Sequence, residues 1–70
     1  MNKQSADVAF VSFCVERYAV QTQRSGAEVI QQFEHAGVLD YLFNNYEALH
    51  TQGWGYIFPV INEHMAGQEA

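Results

Sequence analysis

Tyr46-Glu47-Ala48-Leu49-His50-Thr51-Gln52-Gly53-Trp54 joins an apolar helical pattern to three consecutive polar side chains, a glycine and the sole tryptophan of the chain. Tyr46 and Leu49 are spaced as neighbours on one helix face. Gly53 stops that pattern, since glycine takes the left-handed backbone of a helix end without steric cost. The stretch therefore reads as the end of a central helix turning into the last element of the fold. Helix ends leave carbonyls without partners. His50 and Gln52 can satisfy them, and Thr51 can cap the turn that follows.

The same residues admit a chemical reading. Glu47 and His50 are three apart and so adjacent on a helix. A carboxylate beside an imidazole can bind a metal or pass a proton. Glu-x-x-His is also half of a di-metal carboxylate motif. The second half is missing from this sequence.

Upstream, Phe10, Val11, Cys14, Val15 and Tyr18 recur at three- and four-residue steps. This spacing predicts a helix from Ala6 to about Thr22, with Ser5 as N-cap and Asp7 in the first turn. Phe13 and Val20 broaden its apolar stripe, which suits a helix packed on two sides or at a dimer contact. Ser25-Gly26-Ala27-Glu28 fits a capping box. It opens a second helix to about Ala36, with Val29, Ile30 and Phe33 as the expected buried face. Gly37 is the expected stop. Leu39, Leu42 and Phe43 then dock a short helical piece. Asn44-Asn45 marks a break, because asparagine competes for backbone hydrogen bonds. Asn44, three before Glu47, suggests a further cap.

Downstream, Trp54, Tyr56 and Phe58 alternate, which would place them on one side of an extended segment. They serve either as core around a turn or as an aromatic anchor for a partner. Pro59 fits the first turn of a helix better than its interior. Val60, Ile61, His64 and Met65 then predict a last helix over about 58–66, starting earlier only with a kink at Pro59. Residues 1–4 and 67–70 read as mobile tails.

Seventy residues allow one domain. A core this small rarely supplies more than about 3–5 kcal/mol. One cysteine cannot close a disulfide, and no Cys/His cluster has zinc spacing. Helix packing and self-association remain as sources of stability. An apolar share of 49% is too high for a disordered chain. Net charge is −5, and no Lys or Arg follows Arg24. Such a surface repels phosphate backbones and anionic lipid, so neither nucleic acid nor membrane is an expected partner. It suits a basic protein partner. The lack of a signal sequence or membrane-length run, with one unpaired cysteine, gives a cytoplasmic expectation. His35, His50 and His64 are scattered, so no metal is expected. Cys14, on the apolar stripe, reads as a small hydrophobe; a Cys14–His50 nucleophile is the alternative.

Phe13-Cys14-Val15-Glu16, Ser25-Gly26-Ala27-Glu28-Val29, Gly37-Val38-Leu39-Asp40-Tyr41 and Leu49-His50-Thr51-Gln52-Gly53 stand in an order that resembles a family of small bacterial domains of unknown function marked by a Leu-His-Thr-Gln motif. The resemblance runs from about Val8 to His64. It brings no established activity. It implies relatives near, or joined to, ADP-ribosyltransferase-like domains, and so a partner or regulator role. Relatives carry a charged, uninterrupted helix after the motif, where this chain has Trp54-Gly55 and Pro59.

The sequence thus predicts an all-α bundle of three to four short helices in a single domain, 1–70, that self-associates. The expected function is a non-enzymatic protein-interaction module regulating a neighbouring enzyme or toxin-like partner, with no cofactor. Candidate binding residues are Glu47, His50, Thr51, Gln52, Trp54 and Tyr56. The alternative is a ligand- or metal-binding protein using Glu47, His50 and Gln52. A third reading makes His50 the base of a minor enzyme.

Overall fold

Val11, Cys14, Val15, Tyr18 and Ala19 form one continuous buried stripe on helix α1, Ala6–Thr22. The computed structural model describes residues 6–69, so the expected Ser5 cap and the 1–4 tail lie outside the described residues. Four further helices follow: α2 Gly26–Ala36, α3 Val38–Asn44, α4 Tyr46–Leu49 and α5 Trp54–Glu69. Among the described residues there is no strand. Among the described residues the count is five helices instead of three to four, because Asn45 splits the middle of the chain and leaves α4 as a single turn.

The α1–α2 junction is built from backbone bonds. The Arg24 amide donates to the Ala19 carbonyl at 2.9 Å, and the Gln23 amide to the Val20 carbonyl at 3.3 Å. This pair is a Schellman closure, which needs a left-handed residue at the first position past the helix. Gln23 fills it at φ 59°. A side chain with a Cβ is strained there by roughly 1–2 kcal/mol. Gln23→Gly should therefore raise the midpoint of urea unfolding, with a gain of about 1 kcal/mol after the cost of a more flexible unfolded chain. An unchanged or lower midpoint would remove the assignment of strain.

Ser25 then caps α2 as the sequence predicts. Its hydroxyl accepts from the Glu28 amide, and the Glu28 carboxylate accepts from the Ser25 amide. Gly37, at φ 76°, ends α2 and directly precedes α3. The two helices share this one residue, so the chain turns without a loop.

The break after α3 differs from expectation. Asn45, not Asn44, flanks α4, and it makes no side-chain cap. Its Nδ2 instead donates back to the Tyr41 carbonyl at 2.9 Å, so it closes α3.

Helix α5 begins at Trp54 and runs through Pro59 to Glu69, four residues earlier and three later than the expected 58–66. Residues 67–69 of the expected tail are thus helical. Pro59 removes one amide and crowds the carbonyl four residues back. That carbonyl belongs to Gly55, and both residues are exposed. Water can serve the freed carbonyl, and Gly55 brings no side chain to the crowded turn. The start is set by Gly53, whose carbonyl accepts from the amides of Tyr56 and Ile57.

The core sits where α1, α2, α3 and α5 meet. Phe33, Leu42, Ile57, Ile61, Val29, Val38 and Cys14 are fully buried. Tyr18 packs edge-on against Phe33 at 5.1 Å, and its hydroxyl donates to Asn62 Oδ1 at 2.8 Å. That bond ties α1 to α5. Among the described residues no polar or charged residue is buried in this core. Ile30 and Phe43, expected inside, are exposed at 46% and 39%. Each lies at the edge of its helix's apolar stripe, on the side away from the core. No helix among the described residues is long and apolar enough to cross a membrane.

Candidate functional site

His50 lies at the C-terminal end of α4 with ordinary helical backbone. Its Nδ1 faces the carbonyls of Tyr46 at 2.9 Å and Glu47 at 3.1 Å. Carbonyls only accept, so Nδ1 carries the proton. The ring also stacks on Tyr46, with centroids 4.3 Å apart and planes 18° from parallel. His50 therefore closes the end of α4, as read from the sequence. Thr51 does not cap the following turn. Its hydroxyl donates backwards to the Ala48 carbonyl at 3.3 Å, because the preceding turn holds the nearest free acceptor. Gln52 contributes its backbone amide, not its side chain, to the Leu49 carbonyl at 2.9 Å. Glu47, His50, Thr51 and Gln52 are all exposed.

Trp54 and Tyr56 part company. In a helix, residues two apart point to nearly opposite sides. The expected extended segment is the first turn of α5, so Trp54 aligns with Phe58 and not with Tyr56. Trp54 is half-buried at the α1–α5 seam. Its Nε1 donates to Gln21 Oε1 at 2.7 Å, and its ring meets Phe13 edge-on at 6.0 Å. The Arg17 guanidinium lies 5.5 Å from its ring centre. Tyr56 faces outward and is 55% exposed. The six candidate residues thus do not form one site: four crown α4, one pins α5 to α1, and one stands alone on the surface. Gln21 and Arg17 were missed as partners of Trp54. Their one signal was a polar step at the same helical spacing as Phe13.

A family model described as a protein of unknown function (DUF3791) matches residues 9–67. The chain belongs to this family. The match spans all of Phe13 to Gly53, where the four sequence blocks lie, without showing the Leu-His-Thr-Gln motif as the family's mark. No curated protein and no solved structure matches the chain. Function in this DUF3791 chain must therefore be argued from its own side chains.

Burial pushes the Cys14 thiol from its ordinary value of 9.0 up to about 12. It stays protonated and unreactive at neutral pH, as a packed hydrophobe does. Among the described residues no group of three or more His, Cys, Asp and Glu side chains could hold a metal. His64 is half-buried against Tyr41, with ring centres 4.1 Å apart, and His35 stands exposed on α2. What the DUF3791 fold does expose is apolar surface: Val8, Phe13, Val20, Ile30, Phe43 and Tyr56 are all large and more than a third accessible. Val11 and Val15 on α1, with Ile30 on α2 and Leu39 on α3, were assigned to helix stripes by spacing. Spacing alone does not say which side of a stripe lacks a covering neighbour.

Proposed function

We propose that this DUF3791 domain is a non-enzymatic protein-interaction module, acting in the cytoplasm on a basic protein partner. The observation that carries the reading is the set of six large apolar side chains left on the surface of a small domain. Contiguous exposed apolar surface marks interaction sites, and Ile30 adjoins Val11, Val15 and Leu39 on one such face. Aromatic residues dominate such contacts, and Tyr56 is the most exposed of this chain's aromatic side chains among the described residues. The acidic balance of −5 adds complementarity to a basic surface and no affinity for nucleic acid or anionic lipid. The resemblance noted above makes an ADP-ribosyltransferase-like or toxin-like neighbour the natural partner to regulate. Self-association belongs to the same reading, since exposed apolar groups on so small a domain favour burial between copies.

Affinity capture from the native host tests this. The wild-type domain should retain a specific protein, and Tyr56→Ala should retain about tenfold less at an unchanged helical circular dichroism signal. Equal retention by both, or none by either, would remove Tyr56 or the reading itself. Sedimentation as a strict monomer would remove self-association.

The ligand-binding alternative has one observation in its favour. With Nδ1 turned to the α4 carbonyls, Nε2 is the ring nitrogen of His50 left to meet a ligand or metal. Glu47 and Gln52 stand nearby in sequence to complete such a site. Metal analysis of protein purified without chelator decides it; a sub-stoichiometric content ends the metal version.

A further inference from the structure

A groove of about 540 Å³ runs between α1, α2 and α3, on the side of α1 away from Trp54. Val11, Val15, Ala27, Ile30 and Leu39 line it, and Glu16 stands at its edge. Helical spacing extends it in both directions. Val8 lies one turn before Val11, and Phe43 one turn beyond Leu39. Both are exposed. Glu16 is the one carboxylate among the described residues lining it, and Glu34 faces a separate hollow beside Arg24 and His35. Among the described residues lining the groove there is no Lys, Arg or His. The two described arginines are engaged elsewhere. Arg17 lies over Phe13 and Trp54, and Arg24 donates to Gln32 Oε1 at 2.8 Å.

We propose that this groove seats a basic amphipathic helix of a partner protein. The inference rests on the interaction reading above and names a surface for it. The floor offers apolar contacts from three helices, the arrangement that accepts a helix through anchors at i, i+3, i+4 and i+7. The edge offers a carboxylate at Glu16 and no cation among the described lining residues. A second copy of the chain is a poor occupant of this groove, so the self-association proposed above uses another face. Such a copy would bring a net charge of −5 against an edge of the same sign, and like charges across an interface are unfavourable. Lys or Arg flanking the apolar anchors would meet the edge, steer the encounter and fix the register.

The test uses two synthetic helical peptides of about 18 residues, long enough to form a helix on binding. Both carry leucine at the anchor positions; one has lysine and the other glutamate on the polar face. A scrambled version of the lysine peptide controls for charge and composition. Titration into isotopically labelled full chain, followed by amide chemical shifts, reads both affinity and place. The lysine peptide should shift Val11, Val15, Ala27, Ile30 and Leu39, and bind at least about tenfold more tightly than either control. Ile30→Ser should weaken it about tenfold. Ile30 is exposed, so this variant keeps the fold; Glu16→Gln should flatten the salt dependence and leaves the floor intact. Equal binding of the glutamate or scrambled peptide, shifts confined to the Tyr56 side, or no shifts at all would each overturn the groove. Concentration-dependent shifts at the groove without peptide would overturn it in favour of a second copy. Host capture separates the two levels. A partner released by Tyr56→Ala but not by Ile30→Ser leaves the interaction reading standing and the groove refuted.

Discussion

Phe33→Ala should leave the domain largely unfolded at room temperature. Phe33 is fully buried and touches Tyr18 across the α1–α2 packing. Truncating a buried phenylalanine costs about 3–5 kcal/mol, from lost burial and the cavity left behind. A core of this size supplies about that much in total. There is no disulfide to hold the chain, since Cys14 is the sole cysteine. The measurement is the far-ultraviolet helical signal with a urea titration. Phe33→Leu, which keeps most of the volume, should stay folded with a lowered midpoint. A Phe33→Ala variant that melts within a few degrees of wild type would mean that α2 is not the centre of the core.

Alkali should unfold the protein through Cys14. The thiol's value in the folded state is raised by burial to about 12 from 9.0. The unfolded chain therefore ionises first. Stability from this group is complete below pH 9 and falls as pH climbs towards 12. Each pH unit between the two values weighs about 1.4 kcal/mol. By pH 11 the loss is about 3 kcal/mol, comparable with the whole stability of such a domain. The decisive comparison is the difference in slope between wild type and Cys14→Ala. Wild type should lose stability more steeply from pH 9 to 11. Parallel curves would show that the thiol is open to water. Below pH 9 a thiol-directed reagent should label the native protein far more slowly than the unfolded chain.

Much of the fold was legible because its punctuation is local. Ser25, Glu28 and Gly37 each act within one turn of their own position, so α2 could be bounded from sequence alone. The end of α1 at Thr22 was legible as well, but not its left-handed closure, since Gln23 occupies a position that favours glycine. Helix α5 was misplaced for a tertiary reason. Pro59 reads as a barrier in isolation, yet here its lost bond falls on a solvent-facing turn opposite Gly55. The α4 end was legible in its main residue, His50, and misread at Thr51, where the nearer carbonyl wins. Trp54 and Tyr56 were separated only by the helical conformation of their segment. The groove beside Ile30 was invisible because periodicity marks a residue as apolar without saying which neighbour is absent.

The position of Trp54 gives the protein a built-in optical reporter. It is the sole tryptophan, and it touches Phe13, Arg17 and Gln21 of α1 from the first turn of α5. Its emission therefore registers a single event, the docking of the last helix onto the first. Stopped-flow fluorescence would follow closure between chain segments more than thirty residues apart, while circular dichroism follows the helices themselves. Ligands seated at the α2–α3 side should leave the emission wavelength unmoved, and anything that pries α5 loose should shift it to the red.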